Sequence, residues 1–152
     1  MTELFIFSTV SFFQAAVQFA CAVILPLSIG LERYLRDKPI DFRPYVVISV
    51  AACGILITTT ELSVEIGDSD TRIDPTRVME GVITGIGFLG AGAMFREGDF
   101  VKGAGTAASI WSAGAIGLIC GAGEIGIALV VTALVLIVMI VSAPFTEKWD
   151  TK

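Results

Sequence analysis

Gln14, Gln18, Cys21, Leu25, Ser28 and Glu32 follow one another at alternating steps of four and three. At 100° per residue these six positions share one narrow face of a helix, and four of them are polar. Amide groups facing lipid would lack partners, so the face is expected to point into a helix bundle. Its last member, Glu32, stands at the same expected depth as the pair Arg96-Glu97. Carboxylate, amide and hydroxyl oxygens of this kind suit hard cations such as Mg²⁺ or Ca²⁺. Glu32 and Glu97 are therefore candidate metal ligands. Asp74 is another, but aspartate directly before Pro75 reads first as a helix N-cap with proline at the first helical position. Arg77 could bond Asp74 or Glu80 and steady that helix start. Glu32 is expected to pair with Arg96; the alternative is that Glu32 and Arg33 sit among the headgroups as solvated anchors.

Other chemistry is poorly supplied. The chain has no histidine, which removes the commonest general base and metal ligand. Cys21, Cys53 and Cys120 lie inside apolar runs at spacings that match no zinc or CxxC pattern, and they read as small packing residues. No serine stands in a nucleophile elbow, and the glycines form no phosphate loop between a strand and a helix. An enzyme is not expected. A formal net charge of −5 gives no basic surface for nucleic acid. Glu61, Glu65, Asp68, Asp70 and Asp74 face only Arg72 and Arg77 and read as a solvated acidic loop with weak attraction for cations. Asp68-Ser69-Asp70 opens like a calcium loop, but Arg72 occupies the place of the third ligand and no glycine follows.

The elements that must position these groups are membrane spans. The 152 residues are 55% hydrophobic, in runs too long and too uncharged for a soluble domain. A helix needs about 20 apolar residues to cross about 30 Å of hydrocarbon. Five segments qualify, near 9–31, 44–62, 78–95, 104–121 and 125–143. The expectation is an all-α polytopic membrane bundle of about five transmembrane helices in one domain, with a mature N-terminus and no separate soluble C-terminal domain. Arg33, Arg36, Lys38, Arg43, Arg96, Lys102, Lys148 and Lys152 fall on one side when five spans alternate; only Arg72 and Arg77 fall on the other. The positive-inside rule then places the N-terminus outside and the C-terminus in the cytoplasm. Tyr34, Phe42, Tyr45 and Trp149 fall at the expected inner interface, where amphipathic rings are favoured. Pro26 interrupts the first span and predicts a kink.

Thirteen of the 16 glycines lie between Gly81 and Gly126. Small residues let helices touch in a bilayer. In the third span Gly81, Gly85 and Gly92 share one face while Gly87 and Gly90 lie roughly opposite, which predicts a helix sandwiched between two neighbours. In the fourth span Ala107, Gly114, Gly117 and Gly121 form one small face, and Ala108, Ser112 and Ala115 a second. A spare small face makes a homodimer an expected assembly.

These residues carry a resemblance. Asp74-Pro75-x-Arg77, the run Gly85-Ile86-Gly87-Phe88-Leu89-Gly90-Ala91-Gly92, Arg96-Glu97-Gly98, Val101-Lys102-Gly103 and Thr106-Ala107-Ala108-Ser109-Ile110-Trp111 resemble the MgtC/SapB family, and Gly30-Leu31-Glu32-Arg33 resembles its first-helix signature. The likeness runs from about Ala15 to Val141. It implies a small bacterial or archaeal inner-membrane protein of about five spans, associated with magnesium homeostasis and adaptation to low Mg²⁺. In pathogens it implies survival inside macrophages. Family members resemble regulators of other membrane proteins, including the ATP synthase, and longer members add a soluble C-terminal domain. Virulence-type members tend to have asparagine where this chain has Gly105, cysteine where it has Ser112, and often glutamine near Gly81. The first two departures keep the virulence-specific and ATP-synthase-directed roles from being carried over with the family core. Two alternatives stand beside the regulator. One is a Mg²⁺ channel or carrier using Gln14, Gln18, Ser28, Glu32 and Glu97 around a hydrated ion. The other is a structural subunit of a membrane assembly.

Overall fold

The computed structural model describes residues 9–36, 41–65, 73–98 and 100–150. Asp68, Asp70, Arg72, Lys38 and Lys152 lie outside them, as do the side chains of Glu65, Lys148 and Trp149. Five helices follow in order: α1 (Phe12–Leu35), α2 (Arg43–Glu65), α3 (Pro75–Gly92), α4 (Ala104–Gly121) and α5 (Ile125–Asp150). Between α3 and α4 lies a hairpin, β1 (Phe95–Glu97) and β2 (Phe100–Lys102), paired antiparallel with Phe95 opposite Lys102. Helices α1, α2, α4 and α5 are long and apolar enough to cross a membrane. Helix α3 has 18 residues and carries Arg77 and Glu80 in its first turns, so it falls outside that set.

Each start has a physical reason. Ser11 and Gln14 form a capping box on α1: the Ser11 hydroxyl accepts from the Gln14 amide at 3.2 Å, and the Gln14 side chain accepts from the Ser11 amide at 2.9 Å. Just upstream, the Glu61 carboxylate of α2 accepts from the Thr9 and Val10 amides and ties the entry of α1 to the far end of α2. Asp74 caps α3, with Pro75 at its first position.

The core lies between α1, α2 and α4, with Ala22, Ile29, Tyr45, Cys53, Ala113, Ile116 and Cys120 fully shielded. Helices α2 and α4 run parallel and interlock most extensively. A β-carbon built on Gly117 would lie 2.7 Å from the Ser49 Cα, and one on Gly121 would lie 2.8 Å from the Cys53 carbonyl oxygen. Ser49 and Cys53 sit one turn apart and meet Gly117 and Gly121 in the same register. This is backbone-to-backbone packing, the arrangement that small residues permit in a bilayer.

Three expectations are corrected here. The third helix ends at Gly92, and residues beyond it form the hairpin. Helix α3 does meet two neighbours, α2 and α4, but through Met79, Val82, Ile83 and Gly90 rather than through two glycine faces. Gly90 meets α4 at the Ala107 carbonyl, 3.3 Å from a built β-carbon, whereas β-carbons built on Gly81, Gly85, Gly87 and Gly92 would meet nothing within 4 Å among the described residues. Finally, Tyr45 leaves the interface belt and is fully buried, because Gly30 clears room against its ring and Ser109 supplies a hydroxyl partner. Tyr34 and Phe42 stay exposed and meet edge to face at 6.2 Å.

Candidate functional site

One group of polar side chains lies at the end of the bundle where α1 ends and α2 and α4 begin. The Tyr45 hydroxyl lies 3.1 Å from Ser109 Oγ, and Ser109 donates back to the Thr106 carbonyl at 2.8 Å. The Arg33 guanidinium also reaches the Tyr45 hydroxyl. Glu32 is 10% exposed at its side chain; its ion-pair partners are Arg36, one turn further along α1, and Arg33, whose Nη1 lies 3.9 Å away. These are ion pairs without directed hydrogen bonds at the shielded carboxylate oxygens. The expected Glu32–Arg96 pair is thus replaced by pairing within one helix. A carboxylate and an arginine at i and i+4 meet without any tertiary contact. Arg96 Nε donates to the Gly98 carbonyl at 3.0 Å across the hairpin turn.

The remaining stripe residues divide. Gln14 is exposed and belongs to the cap of α1. Gln18 is 7% exposed, and its shielded Oε1 has no hydrogen-bond partner. Ser28 donates to the Leu25 carbonyl at 2.6 Å. The structure therefore pairs Glu32 with Arg33 and Arg36, and it takes Gln14 out of the interior. Glu97 lies on the hairpin and pairs with Lys102 at 2.6 Å. Among the described residues no group of three or more carboxylates or thiols is placed to hold a metal ion. Glu32 and Glu97 each already face a cation, so the donor set does not fit a preformed Mg²⁺ cage.

Asp74 stands outside the spans. Its carboxylate accepts from the Thr76 amide at 2.9 Å and the Thr76 hydroxyl at 2.7 Å. These bonds, with Arg77 adding attraction, hold it below the usual carboxylate range. A depressed folded pKa gives stability that is present above about pH 3.9, the unfolded value, and is lost as pH falls through the folded one. Asp74→Asn keeps a capping oxygen and loses this acid-side dependence; Asp74→Ala lowers the melting temperature at neutral pH as well. Thermal melts across the acid range in detergent check both. Asp41 is held low in the same way, by the Arg43 side chain first and its backbone amide second.

The motif glycines of α3 define a second surface. Gly85 and Gly92 face away from the bundle beside exposed Phe88 and Leu89, Gly87 is exposed on another side, and Ile86 and Gly90 of that run pack on α4. Thr106 is buried at the start of α4, while Trp111 is half exposed on its flank. The hairpin joining α3 to α4 had no warning in the periodicity, because three-residue strands are too short to show one. Gly98 and Gly103, both at positive φ, were its only sequence signal. At Gly103 a β-carbon would overlap the Ala93 carbonyl oxygen, so the end of α3 and the start of α4 close on each other there.

A bundle whose apolar helices are long enough to span, with Arg33, Arg36, Arg43, Arg96 and Lys102 gathered at one end and Arg77 at the other, is a multi-pass membrane protein. Its family follows from the sequence match: the MgtC family model covers residues 19–148, and the chain belongs to that family. It is similar to Protein MgtC of Brucella abortus (strain 2308), 38% identical over 128 residues, covering 84% of this chain and 51% of the relative. It is also similar to Protein SapB of Bacillus subtilis (strain 168), 36% identical over 104 residues, covering 67% and 45%. Protein MgtC of Salmonella typhimurium (strain LT2) is 33% identical over 115 residues, covering 76% and 46%. The chain spans about half the length of the curated relatives it matches. No solved structure matches.

Proposed function

We propose that this chain supports magnesium homeostasis and adaptation to low Mg²⁺ in a bacterial or archaeal inner membrane by binding and regulating other membrane proteins, and that it is not an enzyme. The observation carrying this reading is the face of α3. A β-carbon built on Gly81, Gly85 or Gly92, which share that face, would meet nothing within 4 Å among the described residues. Glycine weakens a helix by about 1 kcal/mol relative to alanine, and among the described residues no close contact offsets that cost. A second transmembrane helix lying on this face would use the close approach that glycines allow. Most of the groups a transport pathway would need are otherwise engaged: Gln14 caps α1, Ser28 bonds the Leu25 carbonyl, and Glu32 and Glu97 are ion-paired, which leaves Gln18.

The test is growth at limiting Mg²⁺ of cells lacking the gene. The native chain should restore growth. Gly85→Leu, inserted into the membrane at the same level, should grow no better than the deletion strain. Purified protein in liposomes should take up no Mg²⁺. Full complementation by Gly85→Leu would overturn the reading, and Mg²⁺ uptake abolished by Glu32→Ala would establish the transporter in its place.

A further inference from the structure

We propose that the β1–β2 hairpin is seated in the membrane surface. Its base lies at the boundary between acyl chains and headgroups of a phospholipid leaflet, and its tip lies among the phosphates. A hairpin of two short strands is marginally stable in water on its own. Here β1 is exposed along its whole length, and Val101 of β2 is exposed as well. Such a hairpin needs cover from outside the chain. Phe95 stands opposite Lys102, and Arg96 opposite Val101, so Phe95 and Val101 point to opposite faces. With Met94 they surround the base of the hairpin with exposed apolar side chains. A docking protein would cover one face, whereas lipid wets both.

The neighbouring helices set the level. Helix α4 has 18 residues, all uncharged, and rises about 27 Å. That nearly fills the roughly 30 Å of hydrocarbon, so its start, just after Lys102 and Gly103, falls at a boundary. On α3 the uncharged stretch 81–92 rises only about 18 Å. With Arg77 and Glu80 at the opposite headgroups, the chain just past Gly92 is still at the boundary and not out in water. The charged groups bend away from that level. Lys102, at the base, extends its ammonium to the Glu97 carboxylate near the turn, at 2.6 Å, and Arg96 Nε donates to the Gly98 carbonyl in the turn itself. Long basic side chains do this when the stem lies in apolar surroundings and the head reaches polar ones. Their positive charge then stands at the level of the lipid phosphates, which it complements. The outer edges of the two strands fix the limit of insertion, because open edges do not occur within the hydrocarbon itself.

Nitroxide labels read the level directly. They are placed one at a time by Phe95→Cys, Val101→Cys and Glu97→Cys in a Cys21→Ala chain, where the remaining Cys53 and Cys120 are shielded. The protein is held in nanodiscs of phosphatidylethanolamine and phosphatidylglycerol with no other protein present. At 95 and 101 dissolved oxygen should relax the label more strongly than a water-soluble nickel chelate, and at 97 the order should reverse. The chelate acting more strongly at either 95 or 101, as on a hairpin standing in water, overturns the proposal; so does oxygen acting more strongly at 97. Val101→Asp in the otherwise native chain is a second reading that needs no label. Opposite Arg96, an aspartate would steady a hairpin in water. At an acyl boundary it should lower the melting temperature in the same nanodiscs, and an unchanged or raised temperature overturns the proposal.

Discussion

Gly117→Ala is expected to destabilise the folded protein by about 3 kcal/mol. The added carbon would overlap the Ser49 carbonyl oxygen and stand 2.7 Å from the Ser49 Cα and 2.8 Å from its carbonyl carbon. All three are backbone atoms in the middle of a helix, and no rotamer change can move them. Relief requires α2 and α4 to separate, which would loosen the adjoining Gly121–Cys53 contact and the shielded layer around Ile116 and Cys120. The matched control is Gly85→Ala, one helix away in an equally conspicuous glycine run. It has nothing within 4 Å and should stay within about 1 kcal/mol of the native protein, on the stabilising side. Melting temperatures of both variants in one detergent check the contrast. Equal effects would mean that the α2–α4 interlock is not what holds the bundle.

Glu32→Gln is expected to cost about 2–3 kcal/mol, because removing one partner of a shielded ion pair leaves the other without compensation. Here it leaves two, Arg33 and Arg36, at 11% and 32% side-chain exposure. Arg36 is the more exposed and can turn to solvent; Arg33 cannot, and it should dominate the loss. Glu32→Gln combined with Arg36→Gln should recover less than half of it. A double-mutant cycle measured by thermal denaturation reads the coupling. Full recovery in the double variant would show that Arg36 alone carries the pair.

Much of this was legible in the chain. The spans α1, α2, α4 and α5 follow from run length alone, and Asp74-Pro75 marks the start of α3. The end of α3 was not legible, because Gly92, Ala93, Met94 and Phe95 continue the apolar run with no polar stop. The partner of Glu32 was legible in principle. Arg36 stands four residues on, and helical geometry puts the two side by side; equal membrane depth pointed instead to Arg96 on a different element. Tyr45 illustrates the opposite difficulty. A tyrosine near a span end reads as an interface anchor, and only the space at Gly30 and the hydroxyl of Ser109 draw it inside. Glycine spacing defined the faces of α3 and α4 but could not say which faces meet a neighbour. On α4 the face of Gly114, Gly117 and Gly121 is occupied, and on α3 the face of Gly81, Gly85 and Gly92 is open.

The closure at Gly103 has a mechanical meaning. No β-carbon fits between residue 103 and the Ala93 carbonyl, and the two strands between them are hydrogen-bonded. The foot of α3 therefore cannot swing without carrying the head of α4. The foot of α3, the hairpin and the head of α4 thus form one locked corner, and Gly105 in that corner lies beside Arg33.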